Sequence, residues 1–167
     1  MRVMGIDPGS RFTGYGILDW VNGAPKHVDN GVIVLPQTKD LASRLAELSV
    51  AMDELLVKFA PTTAAVEKVF TAHNVRSALV LAQARGVILA SFGRTGVPVH
   101  EYSASEVKTS VAGYGRAEKA QMQKMTRLLL GLHEVADVDA SDALAIGICH
   151  LRTARLTDRA ILLRGMR

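Results

Sequence analysis

Cysteine is nearly missing from this chain. Cys149 is the single one in 167 residues, which excludes an internal disulfide and a cysteine-based zinc cluster. It lies in the apolar run Ala145-Ile-Gly-Ile-Cys149, so a buried, unreactive thiol is expected. Long apolar stretches are missing too, and none approaches the ~18 residues of a membrane span. No signal-peptide pattern is present, since Met1-Arg-Val leads straight into an apolar strand pattern. Internal repeats, low-complexity tracts and interdomain linkers are also absent, which leaves one domain with a full hydrophobic core as the expectation. These absences point to a cytoplasmic enzyme or binding protein with no membrane partner. Neither sign of charge dominates: Lys+Arg 20 against Asp+Glu 16 leaves +4, a mild excess that permits an anionic partner without demanding one.

What is present is organised around Arg2-Val-Met-Gly-Ile-Asp7-Pro-Gly. Val3, Met4 and Ile6 make a short apolar run that a Pro-Gly turn breaks, the pattern of a buried strand. Asp7 therefore sits at a strand carboxyl end, where open α/β sheets place their ligand crevice. An Asx-type turn before Pro-Gly is the other reading of the same residue. Thr13–Asp19 and His27–Leu35 continue as strands of a β-meander that Pro36 stops. From Asp40 the period changes to that of a helix, with Leu41, Leu45, Leu48, Met52, Leu55, Leu56 and Phe59 on one side, ending at Pro61. Thr62–Glu67 is a short buried strand that again ends on an acid, and a helical crossover makes it parallel to the first. A helix follows over Val75–Gly93, with a small-residue surface, then a strand over Pro98–Tyr102. Ser103-Ala-Ser-Glu106 fits a capping box for a helix reaching Val111. Further helices are expected over Arg116–Leu130 and from Asp139, the latter apolar on most sides and hence buried. Residues 152–167 hold five arginines and one acid, Asp158.

Four acids stand out by location. Asp7 and Glu67 end two neighbouring strands, while Asp139 and Asp142 lie three apart and share one side of a helix. A helix N-terminus favours Asp in any case, which accounts for Asp139 more readily than for Asp142, already inside an apolar helix. Buried acids without cations are costly. Together the four carry four negative charges, which two divalent cations would cancel. All-oxygen ligands point to Mg²⁺ or Mn²⁺, not zinc. Two such ions ~4 Å apart can activate water and stabilise the leaving oxygen of a phosphodiester.

These motifs resemble a known family. Gly5-Ile-Asp7-Pro-Gly-Ser-Arg-x-Thr13-Gly-Tyr-Gly, Val66-Glu67-x-Val-Phe70, Asn74-x-x-Ser77-Ala-Leu and Gln83-Ala-Arg-Gly86 are similar to those of the RuvC Holliday junction resolvases. Glu106-Val-Lys108, Ala117-Glu-Lys119-x-Gln121-Met-Gln and Asp139-Ala-Ser-Asp142-Ala-Leu-Ala-Ile continue the resemblance in order, over roughly residues 2 to 153. Ala82 and Ala104 depart from the usual glycine and proline. The resemblance implies a ribonuclease H-like α/β fold with a five-stranded mixed sheet flanked by helices. It implies a homodimer that nicks four-way DNA junctions with Mg²⁺, beside a branch-migration motor complex, with Asp7, Glu67, Asp139 and Asp142 as catalytic metal ligands. On this view residues 1–153 form the nuclease domain and 154–167 a basic tail.

Other residues admit two readings. Phe70 is either a core anchor or a surface that stacks on an unpaired base, and the resemblance favours stacking. Lys108 and Lys119 are either solvated helix charges or clamps on phosphate that stabilise charge in the transition state. Arg76 and Arg85 are candidate phosphate contacts. His73, His133 and His150 are isolated, as ordinary core or surface histidines are. Gly9-Ser-Arg-Phe-Thr-Gly14 begins like a Walker A loop, but Tyr15-Gly16 stands where Lys-Ser/Thr is needed. Gly-Ile-Asp-x-Gly also resembles the phosphate hairpin of actin-like ATPases, which need two such domains. A module that only binds junctions would have no need of four converging acids.

Overall fold

Every second residue of a strand faces the same side, and this alternation decides where the acids go. The computed structural model describes residues 1–68, 75–134 and 137–165, the side chains of 76 and 156–165 excepted. Strand β1 (Arg2–Asp7) is central in a five-stranded sheet of order β3-β2-β1-β4-β5, with β2 at Phe12–Val21, β3 at Ala24–Val34, β4 at Thr63–Glu67 and β5 at Val99–Tyr102. β1 pairs antiparallel with β2 and parallel with β4, so the sheet is mixed, as expected. Helices α1 (Leu41–Phe59) and α2 (Val75–Thr95) cover one face. Helices α3 (Ala104–Ala112), α4 (Lys119–Leu130) and α5 (Val138–Gly165) cover the other.

With both faces covered, β1 needs an unbroken apolar run. Met4 and Ile6 enter the core against α1 and α2, while Val3 enters the core against α5. Asp7 falls on the Val3 side, and by the same alternation Glu67 falls on the side of Ala65, also against α5. The parallel register runs from Val3↔Thr63 to Ile6↔Val66, so Asp7 and Glu67 are the next pair beyond its end.

The face that receives α5 is almost bare. Gly5 pairs with Gly16 on one side and with Ala65 on the other, and Asp7 pairs with Gly14. A Cβ on Gly5 would lie 2.1 Å from the carbonyl oxygen of Ala143, and one on Gly14 would lie 2.0 Å from that of Asp139. The first turns of α5 therefore rest on strand backbone, which only glycine permits. Ala140, Ala143, Leu144, Ile146, Ile148 and Leu151 of α5 are buried, matching its apolar pattern.

Caps define the helix ends. Asp40 caps α1 by accepting from the Ser43 N–H at 2.9 Å, and Ala60 closes it in the left-handed region at φ 44°. The Ser103/Glu106 capping box forms on α3 as expected. Two ends differ from the sequence reading. α2 continues past Gly93 to Thr95, because Gly96, at φ 69°, is the residue that turns the chain, with Val97 N–H donating to the Phe92 carbonyl. α4 starts at Lys119, not Arg116, because Glu118 adopts the extended N-cap conformation and Ala117 is anchored in the core. Among the described residues no helix is long and apolar enough to cross a membrane.

The bare seat gives the first prediction. Gly5→Ala destabilises the protein by about 1–3 kcal/mol in urea denaturation, because the added methyl must displace the backbone of α5. A midpoint equal to wild type would show that α5 does not need this approach.

Candidate active site

Three elements bring the acids together. β1 and β4 carry Asp7 and Glu67 to adjacent strand ends, and the glycine seat lowers the start of α5, with Asp139 and Asp142, onto them. Asp7 feels the charges of Glu67, Asp142 and Asp139, in that order of strength. All four acids singled out from the sequence thus share one site.

Their electrostatics are those of an uncompensated anionic cluster. The Asp7 carboxyl is pushed up to about 8, first by burial and then by its three acidic neighbours, with Lys119 opposing. Glu67 is raised by burial and by Asp142, against a hydrogen bond from Asp7 and the pull of Lys108 and Lys119. Asp142 is raised by burial, against Lys119. Near neutral pH, Asp7 keeps its proton and donates to Glu67, which is how a cluster of like charges relaxes when no cation is present.

Lys119, at the first position of α4, places Nζ 3.3 Å from Asp142 Oδ2, and Lys108 lies on α3. Glu67, Lys108, Lys119 and Asp142 line one recess where α3, α4 and α5 meet. Both lysines are thus at the acids.

Arg85 is placed elsewhere. It lies on α2, on the opposite side of the sheet, and forms an ion pair with Glu101 of β5. Phe70 and His73 fall outside the described residues, as does the side chain of Arg76. His150 is a satisfied core histidine: Nδ1 is 2.8 Å from the Tyr102 hydroxyl and Nε2 is 3.2 Å from Thr63 Oγ1. Burial and His100 push its imidazole down to about 4. Cys149 is buried, and burial raises its thiol.

The donor set suits a hard divalent cation. Every donor is a carboxylate oxygen, and the four acids carry more negative charge than the two lysines offset. Among the described residues no group of three or more His, Cys, Asp or Glu side chains is arranged to hold an ion as it stands. Mutual repulsion and the Lys119–Asp142 contact account for this, and a divalent ion would reverse both. Sequence reasoning missed the seat formed by Gly5, Gly14 and Gly16, although the alternation Gly14-x-Gly16 was there to be read as a strip without side chains.

Comparison with known proteins gives a consistent outcome. Residues 3–150 match the family model described as crossover junction endodeoxyribonuclease RuvC. Proteins of that name from Geobacter sp. (strain M21) and Geobacter metallireducens are 48% and 47% identical over 167 residues, covering all of this chain and all of theirs. Thermus thermophilus RuvC in complex with Holliday junction substrate is similar at a TM-score of 0.89 and 31% identity, over 94% of this chain and 96% of that one. The yeast mitochondrial Holliday junction resolvase Ydc2 shares the fold at a TM-score of 0.69 and 16% identity.

The raised Asp7 carboxyl makes a prediction about metal-free protein. The folded state holds a proton at about 8 that the unfolded chain releases near 3.8. Folded protein thus binds more protons across that window, and stability falls as pH rises from about 4 to about 8. In EDTA, Asp7→Asn melts above wild type at pH 8, and the difference in Tm shrinks toward pH 4. Parallel melting profiles for the two proteins would contradict this.

Proposed function

The chain belongs to the RuvC family of crossover junction endodeoxyribonucleases, and we propose that Asp7, Glu67, Asp139 and Asp142 are its catalytic, metal-binding acids. It is a divalent-metal nuclease that resolves four-way DNA junctions by paired, symmetric nicks in two strands of like polarity. The observation that carries the site assignment is the meeting of four acids from β1, β4 and α5 at one end of the sheet.

The oxygen-only donors favour Mg²⁺, two ions per subunit, with Mn²⁺ able to substitute. When bound, the ions supply Lewis acidity for hydrolysis of a phosphodiester. The protein's own residues do the rest. Asp7 and Glu67 sit on strands, Asp139 and Asp142 on a buried helix, so the acids are held by rigid elements. Lys119, displaced from Asp142 as the acids turn to a cation, is free with Lys108 to bind phosphate and offset charge developing in the transition state. The family resemblance supports Phe70 as a base-stacking residue and Arg76 as a phosphate contact. The pairing of Arg85 with Glu101 favours a structural role for that residue.

Two like nicks need two acid clusters in fixed relation, which a C₂ homodimer provides with one self-complementary patch. The outer face of α2 supports this reading. Ala82 and Gly86 are exposed and Ala78 is half-buried, while Ala84, Ile88 and Phe92 of the same helix occupy the core. The small-residue stripe is thus not used inside its own subunit. Residues 1–153 would form the nuclease domain and 154–167 a basic extension, with a branch-migration motor complex as the partner that the resemblance implies. Helix α5 runs on through that extension to Gly165.

A synthetic four-way junction incubated with Mg²⁺ tests the proposal, with nicks mapped on all four strands. Wild type cuts two strands of like polarity at matching positions. Asp7→Asn lowers nicking by about a hundredfold or more while still binding the junction in Ca²⁺. Near-wild-type nicking by Asp7→Asn would remove this residue from the site.

A further inference from the structure

The recess beside the acids has a second character that metal and phosphate do not use. It encloses about 190 Å³, and behind the rim of Glu67, Asp142, Lys108 and Lys119 its floor is apolar. Val107 of α3, Met122 of α4, and Ala145 and Ile146 of α5 form that floor, and all four are buried. Ala104, exposed at the start of α3, stands at the mouth.

We infer that this recess receives the nucleobase next to the scissile phosphate, turned out of its stack, and so reads sequence at the cut. The inference rests on the functional reading above and deepens it. A phosphate at the acids leaves its flanking nucleotide within one backbone step of the mouth. Lys108 and Lys119 offer charge to the phosphates on the rim, but the floor offers none. Anionic or strongly hydrated groups are rejected there, because they would be desolvated without a partner. A base presents two apolar ring faces, and the Met122 thioether is a soft surface for an aromatic edge. Turning a base out of a duplex costs a few kcal/mol, and less where pairing is already broken, as at the crossing point of a junction. The recess would thus couple junction structure to cleavage at the site where the acids act.

The test uses junctions in which the nucleotides flanking the cut are randomised, with nick positions read by sequencing, and a second set with an abasic residue at each flanking position. Wild type shows a base preference at one flanking position and nicks the abasic junction at that position about tenfold more slowly or worse. Ala104→Leu, at an exposed helical position that tolerates leucine, narrows the mouth. Its preference at that position falls by about tenfold, and it cuts abasic and intact junctions at similar rates. Met122→Ala, which deepens the floor, shifts the preferred base. Circular dichroism and Tm establish that both variants fold. Wild-type nicking indifferent to the abasic substitution, or an unaltered preference in folded Ala104→Leu, would overturn the inference and leave the nuclease reading intact. Absence of any nicking by wild type would instead overturn the nuclease reading, and this assignment with it.

Discussion

Everything at this site depends on how closely α5 approaches the sheet. Its first turns lie on backbone at Gly5 and Gly14, where any larger residue would drive a methyl into the Ala143 or Asp139 carbonyl. Glycine in a strand weakens it by roughly 0.5–1 kcal/mol relative to alanine. The loss is offset because β1 is buried on both faces and α5 buries much of its length. In return, two acids from a helix reach the same small volume as two acids from strand ends. The sheet fixes the second pair to within one register step.

That arrangement opposes stability. Four carboxylates in a partly buried cluster hold the Asp7 proton up to about 8, and one lysine contact at Asp142 offsets only part of the repulsion. Strain of this kind persists only where surrounding structure over-determines it. Here the α5 core, from Ala140 to Leu151, supplies the restraint. The cluster is a preorganised demand for positive charge, which a divalent ion meets and a metal-free protein meets only by retaining protons.

Much of this was legible in the chain. Asp7 was marked by an apolar run ending in a turn, Glu67 by a second such run, and the Asp139/Asp142 pair by helical spacing. These signals are local, and burial on both faces of the sheet makes them strong. The rest depends on which surfaces meet. The glycine seat is written as Gly14-x-Gly16, but only the partner helix shows that it is a contact and not a flexible strand. The Lys119–Asp142 contact joins helices distant in the chain, so spacing cannot reveal it. Arg85 looked like a phosphate ligand because its partner, Glu101, comes from the next strand. The start of α4 was misplaced because an arginine after glycine fits a helix as well as Glu118 does, and the burial of Ala117 decides between them.

The measurement that bears most directly on this account is the affinity of the protein for Mn²⁺, taken by electron paramagnetic resonance of the free ion, in wild type and in Gly14→Ala. The added methyl touches no ligand. It can act only by lifting the start of α5, which carries Asp139 and Asp142, away from Asp7 and Glu67. The account predicts a folded variant that binds Mn²⁺ about tenfold more weakly or worse. A folded Gly14→Ala protein with wild-type affinity would contradict it, because the four acids would then assemble without the close seat of α5.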